Sequence, residues 1–290
     1  MILLTGATGF TGRFVSEVLL ARKIPFKCLV RDTVKSRHLA DSGVPCVPGD
    51  LRDEYACRKA LTGCSGIINL VSFKEEHIPL ILHEASRAGI RRVLFIGTTA
   101  IFTQLNTASK SLRVRAEEAI SQSGLDWTIL RPTMIYGARG DRNMERLILA
   151  LRRFPVHPIL GEGDHLLQPI HVQDLARAIV DAYSCRAANQ RAFNLSGKNA
   201  LTYRQLVTEV ARLMQRRILM FSLPRSVSLC SVRIAARIPG LPRIKAEQVL
   251  RLDEDKAFSH REAAETWGFD PVDFTTGIRM ELHDLGILAQ

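Results

Sequence analysis

The sequence predicts an α/β fold: a doubly wound parallel sheet with a smaller mixed α/β cap toward the C-terminus. Three observations predict it. Short apolar runs recur over the first part of the chain, separated by stretches of about ten residues with helical spacing. The runs are apolar throughout rather than alternating, as strands covered on both faces are. A glycine-rich turn joins the first run directly to the first helical stretch.

The elements come in this order. Residues 2–6 (ILLTG) form a short apolar strand, and residues 12–22 carry Phe14, Val18 and Leu19 at helical spacing. FKCLV at 26–30 is a second strand. Leu39 and the segment 44–47 predict a helix and a third strand. Residues 53–62 read as a helix, 66–71 as a fourth strand, 76–88 as a helix and 93–97 as a fifth strand. Residues 109–122 are rich in good helix formers, and 127–132 is a sixth strand stopped by Pro132. Beyond Tyr136 the pattern loosens, and Pro155, Pro158, Gly161 and Gly163 mark loops. A strand returns at 193–197. A helix comes next at 202–217, with Thr202 as its N-cap.

Composition bounds the function. The chain has 290 residues, 46% hydrophobic and 24% charged, enough for a sizeable core. No apolar run approaches the ~20 residues of a membrane span. The N-terminus runs straight into folded-looking sequence without a charged leader, which predicts a cytoplasmic protein. Cys28, Cys46, Cys57, Cys64, Cys185 and Cys230 are scattered, form no CxxC and have no zinc-finger spacing to histidine; they read as reduced thiols, with no metal site. The formal charge is +11. Between Glu209 and Glu247 every charged residue is basic: Arg212, Arg216, Arg217, Arg225, Arg233, Arg237, Arg243 and Lys245. These are interleaved with apolar residues rather than clustered, so no nucleic-acid partner is expected. Residues 218–238 have the character of an amphipathic interfacial helix, which makes peripheral membrane contact a further reading. A substrate-cap helix pair broken at Pro224 is the plainer one.

The strongest local signal is TGATGFTGRF. Gly6, Gly9 and Gly12 form G-x-x-G-x-x-G between a strand and a helix. Glycine permits the tight turn and a close approach of backbone to a pyrophosphate, and the helix N-terminus faces that charge with unpaired N–H groups. The candidate cradle is Gly6, Thr8, Gly9, Phe10, Thr11, Gly12 and Arg13. The second strand ends in CLVRD, where a dinucleotide fold that binds NAD carries an acid for the ribose hydroxyls. Arg31 stands first here and Asp32 second. Arginine suits a 2′-phosphate, so NADP is favoured, with NAD the alternative. Asp50 and Leu51, after the third strand, would flank the adenine; Asp50 also reads as a turn residue after Gly49.

These residues resemble those of the short-chain dehydrogenase/reductase superfamily, of the extended or atypical kind. That group includes nucleotide-sugar epimerases and dehydratases, NmrA-like regulators and the NADPH-binding accessory subunit of respiratory complex I. TGATGFTG, LVRD and GDLRD resemble its cofactor half. GLDWTILRPTMIYG (124–137) resembles its sixth strand and the loop beyond, and QPIHVQDLARAI (168–179) and FNLSGKNALTYRQLV (193–207) resemble its C-terminal half. The resemblance implies a Rossmann domain over 1–137 and an interleaved substrate or cap region over 138–290, with the strand and helix near 170–197 returning to the first domain.

The family's catalytic group is a Ser or Thr after the fifth strand and a Tyr-x-x-x-Lys on the next helix. The lysine tunes the phenol, and the phenol moves the proton. By resemblance Thr98 takes the hydroxyl position, with Thr99 beside it. Anchored on RAEEAI and SGLDW, the helix aligns Ser111 with the tyrosine and Arg115 with the lysine, and Arg115 would still hold the cofactor ribose. A serine does not replace a phenol without a strong base beside it, and arginine stays protonated. Lys110, the nearest surrogate, is turned about 100° from Ser111 on a helix. Tyr136 is another acid to consider. His171 and Asp174 read as capping and packing residues, and Arg131 as a strand-end anchor.

The sequence supports two functions. One is an NAD(P)-dependent oxidoreductase, or an epimerase or dehydratase relative, with a degenerate site and an unidentified small-molecule substrate. The other is a non-catalytic NADP(H)-binding sensor, assembly factor or accessory subunit.

Overall fold

A computed structural model of the chain describes residues 1–73, 77–105, 107–223 and 254–288. The first half alternates strand and helix: β1 (Ile2–Thr5), α1 (Phe10–Ala21), β2 (Phe26–Val30), α2 (Arg37–Asp41), β3 (Cys46–Pro48), α3 (Glu54–Leu61), β4 (Gly66–Asn69), α4 (His77–Arg87), β5 (Arg92–Ile96), α5 (Ala108–Ser121) and β6 (Asp126–Pro132). The second half interleaves short strands with helices: β7 (Ile135–Tyr136), α6 (Met144–Arg153), β8 (Val156–Leu160), β9 (Leu166–Leu167), β10 (Ile170–His171), α7 (Val172–Ser184), β11 (Arg191–Leu195), β12 (Leu201–Thr202), α8 (Tyr203–Leu213), β13 (Leu219–Leu223), α9 (Arg261–Trp267) and α10 (Phe274–Asp284).

Seven strands form one sheet in the order β3-β2-β1-β4-β5-β6-β11, and every pairing in it is parallel. The continuous apolar runs are explained by burial on both faces. In β1, Ile2 and Leu4 face α1 and α7 with Phe14, Val15, Leu19, Leu175 and Ile179. Leu3 faces the opposite side with Leu29, Ile67, Ile81 and Ile120. This is the doubly wound Rossmann-like α/β fold. The returning strand, β11, pairs with β6 from Arg191 against Thr128 to Leu195 against Pro132, two residues earlier than the spacing predicts.

The cap has its own core: Tyr136, Met144, Ile148, Leu206, Val210, Phe274 and Ile278. Thr202 caps α8 as expected; its hydroxyl accepts from the Gln205 amide at 3.1 Å, and the Gln205 side chain accepts from the Thr202 amide at 2.8 Å. The helix stops at Leu213 rather than 217, where Gln215 turns to φ 55° and reverses the chain. The loop expected around Pro155 and Pro158 is in part a strand. Pro158 lies in β8, which among the described residues pairs only with β13, and an edge position leaves its missing N–H without consequence. Leu219–Leu223 is likewise a strand and not the start of an interfacial helix, because it pairs with β8. The remainder of that expected helix, 224–238, lies outside the described residues. Among the described residues no helix is long and apolar enough to cross a membrane.

Candidate functional site

The glycine turn lies at the C-terminal end of β1, where strand order reverses between β1 and β4. Ligands of open α/β sheets bind at such a point. Thr5 and Asn69 close the two strand ends side by side, the Thr5 hydroxyl donating to Asn69 Oδ1 at 2.6 Å. The three glycines do different work. Gly6 has φ 76°, which side chains disfavour, and a methyl there would come within 3.3 Å of Leu70. Gly12 is pressed onto the turn: a methyl would lie 2.7 Å from Ala7 Cα and nearer still to the Gly6 carbonyl. At Gly9 a methyl would meet only the Gly6 carbonyl oxygen, at 3.2 Å, and otherwise faces open space. Gly9 is the N-cap of α1, and no side chain caps the helix. The amides of Phe10, Thr11 and Gly12 therefore have no intrahelical acceptor and sit at the positive end of the helix dipole. Thr8 is exposed beside them. An exposed turn with uncapped amides and no Cβ at Gly9 fits a dinucleotide pyrophosphate.

Arg31 is exposed at the end of β2, and its charge reaches Asp50 across the β2–β3 edge. Asp32 is engaged in its own turn, accepting from the amides of Val34 at 3.0 Å and Lys35 at 3.1 Å. Asp50 accepts from Arg52 Nε at 3.1 Å and Nη2 at 3.0 Å, and these bonds chiefly hold its carboxyl down at about 2. Leu51 is buried against α3 and α4. Arg13 turns away from this group. Its guanidinium lies over the Phe14 ring, 4.7 Å from the centroid, and lines a hollow shared with Arg279 and His283 of α10.

A larger cleft of about 1220 Å³ opens between the sheet's C-terminal edge and the cap. Thr98 and Thr99 stand at its sheet side, just after β5. The Thr98 hydroxyl accepts from the Ala100 amide at 3.2 Å, and the Thr99 hydroxyl donates to the Pro132 carbonyl at 3.3 Å. Phe102 and Phe258 form an apolar wall, with ring centroids 5.3 Å apart. The strap 254–258 crosses the opening. Glu254 accepts from the Thr103 hydroxyl at 2.7 Å and from the Gln104 amide at 2.7 Å, and the Phe258 amide donates to Gln168 Oε1 at 3.0 Å.

The structure does not bring Ser111 and Arg115 to this cleft. Both are exposed on α5. Two residues along a helix turn it by about 200°, so the opposite face carries 109, 113 and 117. There Arg113 Nη1 donates to Ser109 Oγ at 3.3 Å, and Ser109 Oγ lies 3.0 Å from the Thr107 hydroxyl. Glu117 below them takes Arg131 Nε at 3.1 and 3.0 Å, and the Arg131 guanidinium also covers the Phe102 ring. Ser109 and Arg113 have the same four-residue spacing and the inward face. Neither pair is among the residues that line the cleft. The strand-end Arg131 was the available signal, because it asks for an acid on the inner face of α5, and Glu117 fixes the register. Lys110 Nζ donates to the Thr103 carbonyl at 2.7 Å.

The other residues have structural roles. Tyr136 is buried between His171 and Phe274, and burial, reinforced by Glu281, raises its phenol well above the usual range. It packs in the cap core and is not among the residues that line the cleft. His171 caps α7, accepting from the Gln173 amide at 3.3 Å. Asp174 binds Arg177 and accepts from the Val272 amide at 3.0 Å. The five described cysteines are free, and burial pushes Cys28 up to about 12 and Cys57 to about 11.

Comparison with known proteins agrees with this geometry. The NAD(P)H-binding family profile matches residues 6–184. Subunit 9 of the mitochondrial NADH dehydrogenase [ubiquinone] 1 alpha subcomplex of Mus musculus is 30% identical over 271 residues, which span 85% of this chain and 70% of that protein. The NAD(P)H azoreductase of Xenophilus azovorans is 28% identical over 208 residues, 70% of each chain. Among solved structures, the NADPH-dependent quinone oxidoreductase of Escherichia coli superposes with a TM-score of 0.77 at 20% identity, covering 96% of this chain and 98% of that one. With the glycine turn at the sheet's reversal point, these matches show that the chain belongs to the NAD(P)H-binding family.

Proposed function

We propose that the protein binds NADP(H) in preference to NAD(H) and serves as a reductase for a flat, conjugated small molecule held in the cleft beside Thr98. Arg31 carries the cofactor preference. It is exposed at the end of β2, while the neighbouring acid, Asp32, is occupied by its own turn. A 2′-phosphate there gains charge-assisted hydrogen bonds, whereas the first place after β2, where an acid would accept from a ribose diol, is held by Arg31. Bound NADPH supplies a hydride. The chain's residues then orient the acceptor and admit water. Thr98 offers a hydroxyl at the strand end, and Phe102 with Phe258 offers an apolar wall to a flat ring. The inner face of α5 supplies Ser109 and Arg113, neither of which gives up a proton near neutral pH. That single observation selects the substrate class. A sugar hydroxyl needs a base to leave as a carbonyl. A quinone or azo group takes a hydride and then draws its proton from water.

The same absence of a phenol favours a second reading, a non-catalytic NADP(H)-binding sensor or accessory subunit. The buried free thiols suit the reducing interior of a cell, and we place the protein in the cytoplasm on that ground.

The test has two parts. Fluorescence titration should show NADPH binding more tightly than NADH, with Arg31→Ala abolishing most of the difference. The phosphate contact is worth about 1.5–3 kcal/mol. NADPH oxidation is then measured with a benzoquinone and with an azo dye, and NADP⁺ reduction with a nucleotide sugar. Turnover of either of the first two supports the reductase. Tight NADPH binding with no acceptor reduced selects the non-catalytic reading, and turnover of the sugar refutes the argument from α5.

A further inference from the structure

We propose that the outward face of the small β8–β13 sheet docks onto an anionic lipid bilayer. The sheet is parallel, with Val156 opposite Leu219, His157 opposite Met220 and Pro158 opposite Phe221. Side chains alternate between its faces. The inner set packs on the cap: Ile159 is fully buried, Met220 joins the cap core, and His157 Nε2 lies 3.0 Å from the Tyr203 hydroxyl. The outer set is Val156, Pro158, Leu219 and Phe221, continued one step back by Phe154. A sheet packed on one side carries polar residues on the other. Here the outer face is apolar and open, with Leu219 74%, Phe154 54%, Phe221 46% and Val156 43% exposed.

The rim of this face decides what covers it. Arg152 and Arg153 end α6 just before β8, and Arg216 and Arg217 lie just before β13. All four are exposed, and none forms an ion pair among the described residues. The Arg153 guanidinium lies 5.5 Å from the Phe154 ring centroid. No acid occurs in sequence between Glu145 and Glu162, or between Glu209 and Glu247. Because β8 and β13 run parallel, all four arginines flank one end of this apolar face, and an apolar face with such a cationic end meets its complement at an acidic membrane surface. There the aromatic and aliphatic side chains enter the headgroup boundary and the guanidinium groups reach lipid phosphate. A second copy of this chain would set the same four arginines against one another, and like charges oppose that contact. The net charge of +11 adds long-range attraction to the same surface. The proposal uses none of the cofactor site and stands apart from the reductase reading.

The experiment is co-sedimentation of the full-length protein with vesicles of phosphatidylcholine alone, or mixed with phosphatidylglycerol, at low and high salt. Binding is expected on the mixed vesicles only, and it should weaken as salt rises. Arg216→Gln with Arg217→Gln should lower partitioning roughly 25-fold, at about fivefold per arginine near the surface. Leu219→Asp with Phe221→Asp should reduce binding to background. Both pairs alter exposed side chains, so melting temperature and NADPH affinity should match the parent. Three results overturn the proposal: equal binding to neutral vesicles, binding that neither pair of substitutions changes, or no vesicle binding together with a concentration-dependent dimer that Leu219→Asp dissolves.

Discussion

Alanine at Gly9 and alanine at Gly12 should fail in different ways, because the two glycines face different things. At Gly12 the added methyl would lie 2.7 Å from Ala7 Cα and carbonyl carbon, and closer to the Gly6 carbonyl. These are backbone atoms of a turn anchored between β1 and α1, and no rotamer relieves the clash. Overpacking of this kind costs about 1–3 kcal/mol. For a chain of this size a kcal/mol is worth about 2–4 °C, so a fall of roughly 2–12 °C in Tm is expected. At Gly9 the methyl would touch one carbonyl oxygen at 3.2 Å, and the backbone there, φ −80° and ψ 172°, suits any residue. Stability should hold within about 1 kcal/mol, the scale of an N-cap change. The methyl instead fills the approach to the uncapped amides of α1. Losing one hydrogen bond to a charged phosphate costs about 1.5–3 kcal/mol, or about 10- to 150-fold in Kd. Differential scanning fluorimetry and NADPH titration on both variants separate the effects. If Gly9→Ala binds NADPH as tightly as the parent, the pyrophosphate does not rest on this turn and the cradle assignment is wrong.

Two further outcomes concern buried or half-buried groups. Glu281 of α10 is fully buried, and burial, then Asp141 and Glu145, raises its pKa to about 9 against the lowering effect of the Gly137 backbone. The folded value lies above the unfolded one, so its contribution to stability is full below about pH 4.5 and is lost as pH rises toward 9. Denaturation from pH 5 to 9 should show Glu281→Gln gaining on the parent by up to about 1.4 kcal/mol per pH unit, and parallel curves would mean the carboxyl titrates normally. On α5, Arg113→Ala should weaken NADPH binding while Arg115→Ala leaves it within about twofold, and the reverse order would restore the outer face as the cofactor side.

The sheet was legible because burial on both faces leaves a mark that needs no partner to be recognised. Residues 26–30 and 66–69 are apolar almost end to end, and the helices between them carry apolar residues at helical spacing. The cap was not legible, for a physical reason. Its strands β7, β9, β10 and β12 have two residues each, too short for any periodicity, and their partners are remote in sequence. Tyr136 illustrates this: its ring is fixed by Gly277, where a methyl would clash with the phenol, and nothing near Tyr136 announces that contact. Pro158 argued for a loop because a proline interrupts a ladder, and only the edge position of β8 makes it compatible with a strand.

The two-residue offset on α5 has a chemical consequence beyond alignment. The inner stripe is Ser109, Arg113, Glu117, and the last two are committed to neighbours on either side: Arg113 to Ser109, and Glu117 to Arg131. Arg131 in turn covers Phe102, whose other neighbour is Phe258 on the strap over the cleft. A continuous set of contacts therefore runs from the helix that carries the family's proton-transfer pair to the wall that meets the substrate. In a dehydrogenase of sugars that helix delivers a tuned phenol. Here it delivers a fixed guanidinium, and the energy of the stripe goes into holding the strand end and the aromatic wall in place. A helix built that way braces the strand end and the aromatic wall beside the cleft. On the proposed reductase reading, its acceptors would be those whose reduced forms collect their protons from solvent.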